Sequence, residues 1–85
     1  MRMNIEQYVE NRNHLRKCFN LDPYSLSSPC DRQRIADDLM ADLSPENVSC
    51  DGEVRGQALV TKVANLNRCV KDLIKLDSTV RFDTY

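Results

Sequence analysis

The chain has 85 residues, which suits one small domain whose hydrophobic core is only just large enough to hold a fold. Hydrophobic residues make up 41% of it and charged residues 29%, which excludes the composition of a disordered chain, and two glycines and three prolines are too few for a turn-rich β-sandwich. The net charge of −1 excludes a general electrostatic attraction to nucleic acid or to an anionic membrane. We therefore expect one all-α, soluble domain that covers residues 1–85.

The first predicted helix covers about residues 4–19. Asn4, with Gln7 three residues later, is typical of a capping box at a helix start. Apolar side chains then recur at helical spacing on one face, namely Ile5, Tyr8, Val9, Leu15 and Phe19. The Asp22-Pro23 pair predicts a second helical start that opens only a single turn.

The second predicted helix covers about residues 29–43, because the Ser28-Pro29 pair supplies a capping hydroxyl and a proline suited to the first helical position. Its apolar positions have clean helical spacing, namely Ile35, Ala36, Leu39, Met40 and Leu43. A further Ser-Pro pair at 44–45 begins another turn, which Gly52 soon interrupts. Residues 44–53 are therefore expected to form a structured connector.

The third predicted helix, about residues 52–77, has the strongest pattern in the chain. Its apolar positions recur at steps of four, three, four and three, which is the spacing of a helix that packs lengthwise on its neighbours: Leu59, Val63, Leu66, Val70 and Leu73. The tail at 78–85 alternates polar and apolar residues, and a short strand, a docked arm and a loose chain stay open for it. The sequence thus predicts a small three-helix domain with a long C-terminal helix and short one-turn connectors.

Charge is distributed unevenly along the chain. Residues 29–53 carry a net charge of −5, and residues 54–85 carry +3, so the second and third helices are expected to attract each other when antiparallel. The acids of the second helix flank its apolar positions and are expected to form a solvated face: Asp37, Asp38 and Asp42. The same is expected of three bases on the third helix, Arg68, Lys71 and Lys75.

Cysteine and histidine placement bears on metal binding and catalysis. Cys18, Cys30, Cys50 and Cys69 lie too far apart for the close pairs that structural zinc sites use, so we expect no metal and no cofactor. Cys18 and Cys69 are expected in the core, whereas Cys30 and Cys50 lie near helix starts, where a lowered pKa would make a thiol reactive. With a single histidine, His14, expected at the surface or half-buried, the chain offers no catalytic set, and we expect no enzyme activity.

Two short segments, residues 34–39 and 44–49, resemble the pair of helices in a helix-turn-helix DNA-binding motif. The turn glycine is missing, Gly52 cuts the would-be recognition helix short, and the negative charge of this region repels phosphates. Nucleic acid is therefore not the partner we expect, although a DNA-binding regulator stays open as an alternative.

The start of the third helix carries two bases, Arg55 and Lys62, on the edge of its apolar seam and close to Gly52 and Gly56. Bases near a helix N-terminus can hold an anion such as a phosphate or a partner's carboxylate. Ion pairing with the acids of the second helix is the interpretation that we favour for these two bases. If the anion site is real, the chain would be an oligomeric protein that sequesters a small anionic ligand such as a nucleotide.

Residues 43–53, with the sequence LSPENVSCDGE, resemble a segment of short uncharacterised proteins encoded by tailed bacteriophages. The resemblance covers eleven residues and implies a viral accessory protein that acts on a host component inside the bacterial cell. It implies no catalytic residues.

The leading functional prediction is a non-catalytic helical binding protein that contacts a host protein or assembles with itself. The expected interface residues are the seam of the third helix and two aromatic residues of the tail: Leu59, Val63, Leu66, Val70, Leu73, Phe82 and Tyr85. The N-terminus lacks the apolar run of a secretory signal, and no window approaches the length of a membrane helix, so we expect a cytoplasmic protein without a membrane partner.

Overall fold

The computed structural model describes residues 3–44, 56–78 and 80–82. These residues form three α-helices, α1 (Ile5–Cys18), α2 (Pro29–Asp42) and α3 (Gly56–Leu76), and contain no strand. The prediction of a small all-α, three-helix domain is confirmed, and α3, with 21 residues, is the longest of the three. The predicted connector beyond residue 44 and the predicted helical residues 52–55 lie outside the described part of the chain.

Both ends of α1 follow from local hydrogen bonding. At the start, the Asn4 side chain accepts a hydrogen bond of 2.9 Å from the Gln7 backbone N–H, as the capping pattern predicts. At the end, Asn20 adopts a left-handed backbone with φ 58°. This conformation lets the Leu21 N–H bond to the Arg16 carbonyl at 2.8 Å and the Asn20 N–H to the Lys17 carbonyl at 3.1 Å, which closes the helix.

The link between α1 and α2 contains no helical turn at Asp22-Pro23, so that prediction is wrong. The physical reason is a pair of hydrogen bonds from the side-chain amide of Asn13 to the backbone of Tyr24. The Asn13 oxygen accepts from the Tyr24 N–H at 2.6 Å, and the Asn13 nitrogen donates to the Tyr24 carbonyl at 3.0 Å. These bonds tie the link to α1, and both backbone groups of Tyr24 are then used outside a helix.

The start of α2 is capped as predicted. Ser28 Oγ accepts a hydrogen bond of 3.3 Å from the Asp31 N–H, and Pro29 occupies the first turn. At this end Arg32 forms an ion pair of 3.1 Å with Asp77, which follows α3, and both side chains are largely buried. At the other end of α2, Asp42 lines the same cleft as Lys62 of α3. The two helices are therefore antiparallel.

The core lies where α2 and the second half of α3 meet the first half of α1. Its buried side chains are Ile5, Tyr8 and Val9 of α1, Ile35, Ala36 and Leu39 of α2, Leu66, Cys69 and Leu73 of α3, and Val80. Five of these are completely buried, namely Ile35, Ala36, Leu39, Cys69 and Leu73. The burial of Cys69 confirms its predicted place in the core.

The second half of α1 departs from the prediction. Leu15 and Phe19 share the apolar face with Tyr8 but are exposed, and Cys18 is exposed rather than in the core. The reason is the length of the core. Packing against α1 ends after about its first two turns, so the apolar face continues into solvent.

The tail docks where the structure describes it. Val80 is buried and Phe82 packs against the core as a half-buried side chain. The side chain of Gln33 on α2 reaches the Arg81 carbonyl at 3.5 Å. Of the three conformations left open for the tail, residues 80–82 adopt that of a docked arm. Among the described residues, no helix has the length and apolar character needed to cross a membrane.

Candidate functional site

The candidate site is a cleft of about 300 Å³ between α1 and α3, which we call the α1–α3 cleft. Its apolar wall is built by Met3, Tyr8, Leu15 and Leu66. Polar side chains also line the cleft, namely Asn11, Arg12, Asp42, Lys62 and Asn65. A mostly apolar hollow with a few polar groups at its edge is the usual form of a binding site.

The polar edge of the cleft contains a closed triangle of hydrogen bonds. Tyr8 donates its phenolic O–H to Asp42 Oδ2 at 2.7 Å, and Arg12 donates to the same oxygen at 2.6 Å. Arg12 Nε also donates to the Tyr8 oxygen at 3.0 Å. Burial, followed by the hydrogen bond to Asp42, raises the pKa of Tyr8 far above its ordinary value of 10.0. Tyr8 is therefore a neutral hydrogen-bond donor near neutral pH and is unsuited to act there as a base.

A second group consists of the same three residue types. Its arginine on α1 and its aspartate on α2 each lie one helical turn from those of the first group, and its tyrosine lies in the link. Tyr24 donates its O–H to Asp38 at 2.9 Å, and the Arg16 guanidinium lies 4.1 Å from the centre of the Tyr24 ring. Burial, followed by the hydrogen bond to Asp38, raises the pKa of Tyr24. Together the two groups form a polar ladder between α1 and α2, with the acids four residues apart on α2 and the arginines four residues apart on α1.

This ladder corrects the interpretation of the α2 acids. Asp38 and Asp42 are half-buried partners of tyrosines rather than members of a solvated face, whereas Asp37 is exposed as predicted. A sequence signal for the ladder exists: Arg12 and Arg16 lie on the edge of the α1 face and have the same spacing as Asp38 and Asp42. That spacing could have suggested that the two rows face each other.

The surface continues from the cleft along α1. Leu15, which lines the cleft, is 54% exposed, and Phe19, one turn further on, is 73% exposed. We call these two side chains the α1 end surface. Phenylalanine is among the residues most often buried in folded proteins, so its exposure next to an open cleft is informative.

The predicted anion site is described only in part. Arg55 and Gly52 lie outside the described residues, and Gly56 is the first residue of α3. Lys62 is exposed and lines the cleft, and it makes no ion pair within residues 3–44, 56–78 and 80–82. Its pairing with the α2 acids, the favoured interpretation, is therefore not seen in these ranges, where Asp38 and Asp42 bond to other partners.

The predicted interface residues fall into three groups. Leu66 and Leu73 are buried within the chain, where they pack the core. Val63, Val70 and Phe82 are half-buried. The side chains of Leu59 and Tyr85 lie outside the described part of the structure.

Groups with metal-binding or reactive chemistry are spread across the molecule. Cys18 and Cys30 are exposed, as is His14, and burial raises the pKa of the Cys69 thiol to about 11. In the part of the chain that the structure describes, no three cysteine, histidine or acidic side chains form a group suited to hold a metal ion. Of the helix-turn-helix-like segments, residues 34–39 lie in α2, and the second lies outside the described residues except for Ser44.

Comparison with protein-family models, with curated proteins and with solved structures finds no match to this chain.

Proposed function

We propose that this protein is a non-catalytic helical binding protein that acts by contact, with the α1–α3 cleft and the α1 end surface as its contact with a partner protein. The observation that carries the proposal is the exposure of Phe19 and Leu15 beside the cleft. Both side chains extend the core-facing stripe of α1 beyond the point where the core ends, which gives a partner an apolar surface continuous with a hollow.

The energetics favour a protein partner at this surface. Covering one large apolar side chain contributes about 1.5–3 kcal/mol, and aromatic residues at the centre of an interface carry much of its binding free energy. The Tyr8 hydroxyl and the Asp42 carboxylate are already hydrogen-bonded within the triangle, so an apolar side chain can enter beside them without breaking those bonds. Lys62 at the edge adds a cation that suits an acidic group of the partner.

The biological setting that we propose rests on the sequence of residues 43–53. Their resemblance to tailed-phage proteins supports a phage accessory factor that binds a bacterial host protein in the host cytoplasm. Self-assembly is the other form of contact that fits a chain of this size, because small domains often gain stability from a partner copy.

The test is capture of a partner from a bacterial host lysate by the immobilised full chain, with each captured protein identified by mass spectrometry. The Phe19→Asp variant is expected to reduce recovery of the partner at least about tenfold, since it places a charge at the centre of the apolar contact. Circular dichroism should show an unchanged helical signal, because Phe19 makes little contact with the core.

The matched control is Leu76→Asp. Leu76 is 50% exposed and ends α3, about 20 Å of helix length from Lys62. This variant is expected to recover the partner as the wild type does. Equal recovery by the Phe19→Asp protein would exclude the α1 end surface as the contact.

A second candidate function is the binding of a small anionic ligand such as a nucleotide. The specific observation in its favour is that two cations, Lys62 and Arg12, line the same 300 Å³ cleft. Thermal shift against a nucleotide panel tests it. A rise in melting temperature that Lys62→Ala and Arg55→Ala each abolish would support this function, and a rise that survives both variants would place the ligand elsewhere.

A further inference from the structure

Beside the core-facing seam, α3 carries a second apolar stripe, which we call the outer stripe. It consists of the exposed residues Val60, Asn67 and Ile74 together with Val63 and Val70, two half-buried residues that it shares with the seam, of which Val70 also packs against the core. The steps between them are three, four, three and four residues, which is the heptad spacing of a helix that packs against another helix along its length. Val60 is 62% exposed and Ile74 is 44% exposed, so the stripe lies open at both ends.

The outer stripe faces away from α1. At about 100° per residue, Asn67 lies about 100° around α3 from the buried Leu66, and Asn65 lies about 100° in the opposite direction. Asn65 is on the α1 side, because its side chain accepts a hydrogen bond from the Met3 N–H at 3.4 Å. The stripe is therefore a separate surface from the α1–α3 cleft.

The residue types in the stripe indicate what covers it. The first position of each heptad is held by Val60, Asn67 and Ile74, which are two β-branched residues with an asparagine between them. An asparagine in the middle of an apolar seam lowers affinity for a purely apolar partner, because its amide loses water without gaining a hydrogen bond. The same amide is satisfied when it faces its own copy, and this arrangement selects a parallel pair of helices in one register.

Charge complementarity favours the same arrangement. Because the outer stripe lies on the side of α3 away from α1, a copy that packs there in parallel brings the basic side of its own α3, where Lys71 flanks the stripe, towards α2. Asp37 is exposed on α2, midway between Arg32, which pairs with Asp77, and Asp42, which shares the cleft with Lys62. Asp37 is therefore level with the middle of α3, where a partner copy presents Lys71.

We propose that the outer stripe of α3 packs against the same stripe of a second copy of this chain, in a parallel two-fold symmetric dimer whose Asn67 side chains face each other. The proposal rests on the proposed function, since it gives self-assembly a surface and a geometry. It leaves the α1–α3 cleft of each copy open to a partner.

The first test is sedimentation equilibrium of the full chain at concentrations up to about 1 mM, where even a weak dimer is populated. The wild type is expected to dimerise, and Val60→Asp is expected to raise the dissociation constant at least about tenfold, because each copy brings a charge into one apolar layer. Val60 is exposed in the single chain, so helicity should not change. A monomeric wild type, or a Val60→Asp dimer as tight as the wild type, would overturn the proposal.

Asn67→Val provides a second variant that should fold. Removing the polar residue is expected to tighten association about tenfold and to admit species larger than a dimer, because the asparagine is what limits register and copy number. Association unchanged by this variant would contradict the facing asparagines.

Orientation is tested by a single cysteine in a background with Cys18, Cys30 and Cys50 changed to serine and the buried Cys69 retained. In a parallel pair, Val60→Cys lies opposite its own copy and should form an intermolecular disulfide on oxidation. In an antiparallel pair it lies opposite Ile74, so cross-linking only between Val60→Cys and Ile74→Cys chains would overturn the parallel geometry.

The two functional proposals fail separately. Phe19→Asp should keep the dimer and lose partner capture, whereas Val60→Asp should lose the dimer and keep partner capture. Loss of the dimer in Phe19→Asp would instead place the self-contact on α1 and overturn the assignment to α3.

Discussion

The pairing of α2 with α3 and the attachment of α1 are built from different interactions. Between α2 and α3, the contact is made by side chains that are fully buried, among them Ile35, Leu39 and Leu73. The α1 helix buries only its first half and is then held by directional bonds, from Tyr8 and Arg12 to Asp42 and from Asn13 to Tyr24.

The difference explains why the α1 end surface is available for binding. A buried apolar side chain is covered by neighbours on all sides. The residues of the α2–α3 contact therefore expose little surface that a partner could bind. A hydrogen bond fixes a helix at a few points, and it leaves the remaining side chains of that helix uncovered. Phe19 and Leu15 are exposed because α1 is positioned by its polar ladder rather than by packing along its whole length.

The largest expected effect comes from truncating one leucine in each region. Leu39→Ala should lower the free energy of unfolding by about 2–5 kcal/mol, since it opens a cavity in the fully buried contact. Leu15→Ala, which removes the same atoms from an exposed position, should change it by less than about 0.5 kcal/mol. Urea denaturation measures the free energy of unfolding of both variants. Equal decreases would mean that the second half of α1 packs as tightly as the core.

The sequence is sufficient to predict the α2–α3 contact and the capped starts of α1 and α2. Apolar spacing predicts Ile35, Leu39, Leu66 and Leu73 on facing stripes, and Asn4 and Ser28 are recognisable caps because the capping interaction is local. The same reasoning puts Phe19 in the core, because periodicity shows which face a residue shares but not where the neighbouring helix ends.

The candidate site is less predictable from the sequence for a related reason. The place of Lys62 beside the seam marks it as a candidate, whereas the sequence pattern does not predict Tyr8, Arg12 and Asp42 as a group. Their triangle joins residues 34 positions apart in the chain. Such a contact depends on the relative rotation of two helices, and helical periodicity within each helix leaves that rotation undetermined.

A pH titration should weaken the buried region before it weakens the polar ladder. Burial raises the pKa of the Cys69 thiol from 9.0 to about 11, so the folded state holds this proton more tightly than the unfolded chain does. The stabilisation is present below pH 9 and is lost as the pH rises to about 11, and it amounts to about 2–3 kcal/mol. Tyr8 stays protonated in the folded protein over this range, but its raised pKa also lowers stability once the tyrosine of the unfolded chain ionises above pH 10.0.

Urea midpoints of the wild type and of Cys69→Ala, measured from pH 8 to pH 11, test this order. The alanine variant starts lower because it loses buried atoms, but it lacks the ionising thiol, so its stability should fall less over the same range. Parallel pH profiles of the two proteins would show that the Cys69 thiol does not govern the alkaline loss of stability.

The smallest expected effect is the coupling between Tyr8 and Asp42, and it bears most directly on how α1 is held. Tyr8→Phe removes the donor of the 2.7 Å hydrogen bond and keeps the ring, and Asp42→Asn removes the charge that Arg12 also uses. A double-mutant cycle by urea denaturation should give a coupling free energy of about 1 kcal/mol, since a charged acceptor strengthens the hydrogen bond and the 26% exposure of the Asp42 side chain limits that gain.

The same cycle distinguishes a positioning role from simple packing. Because Phe19 lies beyond the ladder on α1, disturbing the Tyr8–Asp42 bond should shift the amide resonances of residues 15–19 in an NMR spectrum while those of α2 near Leu39 stay in place. Leu39→Ala should give the reverse distribution. If Asp42→Asn shifts the α2 core as strongly as it shifts the end of α1, the ladder belongs to the core and the two regions are one cooperative unit.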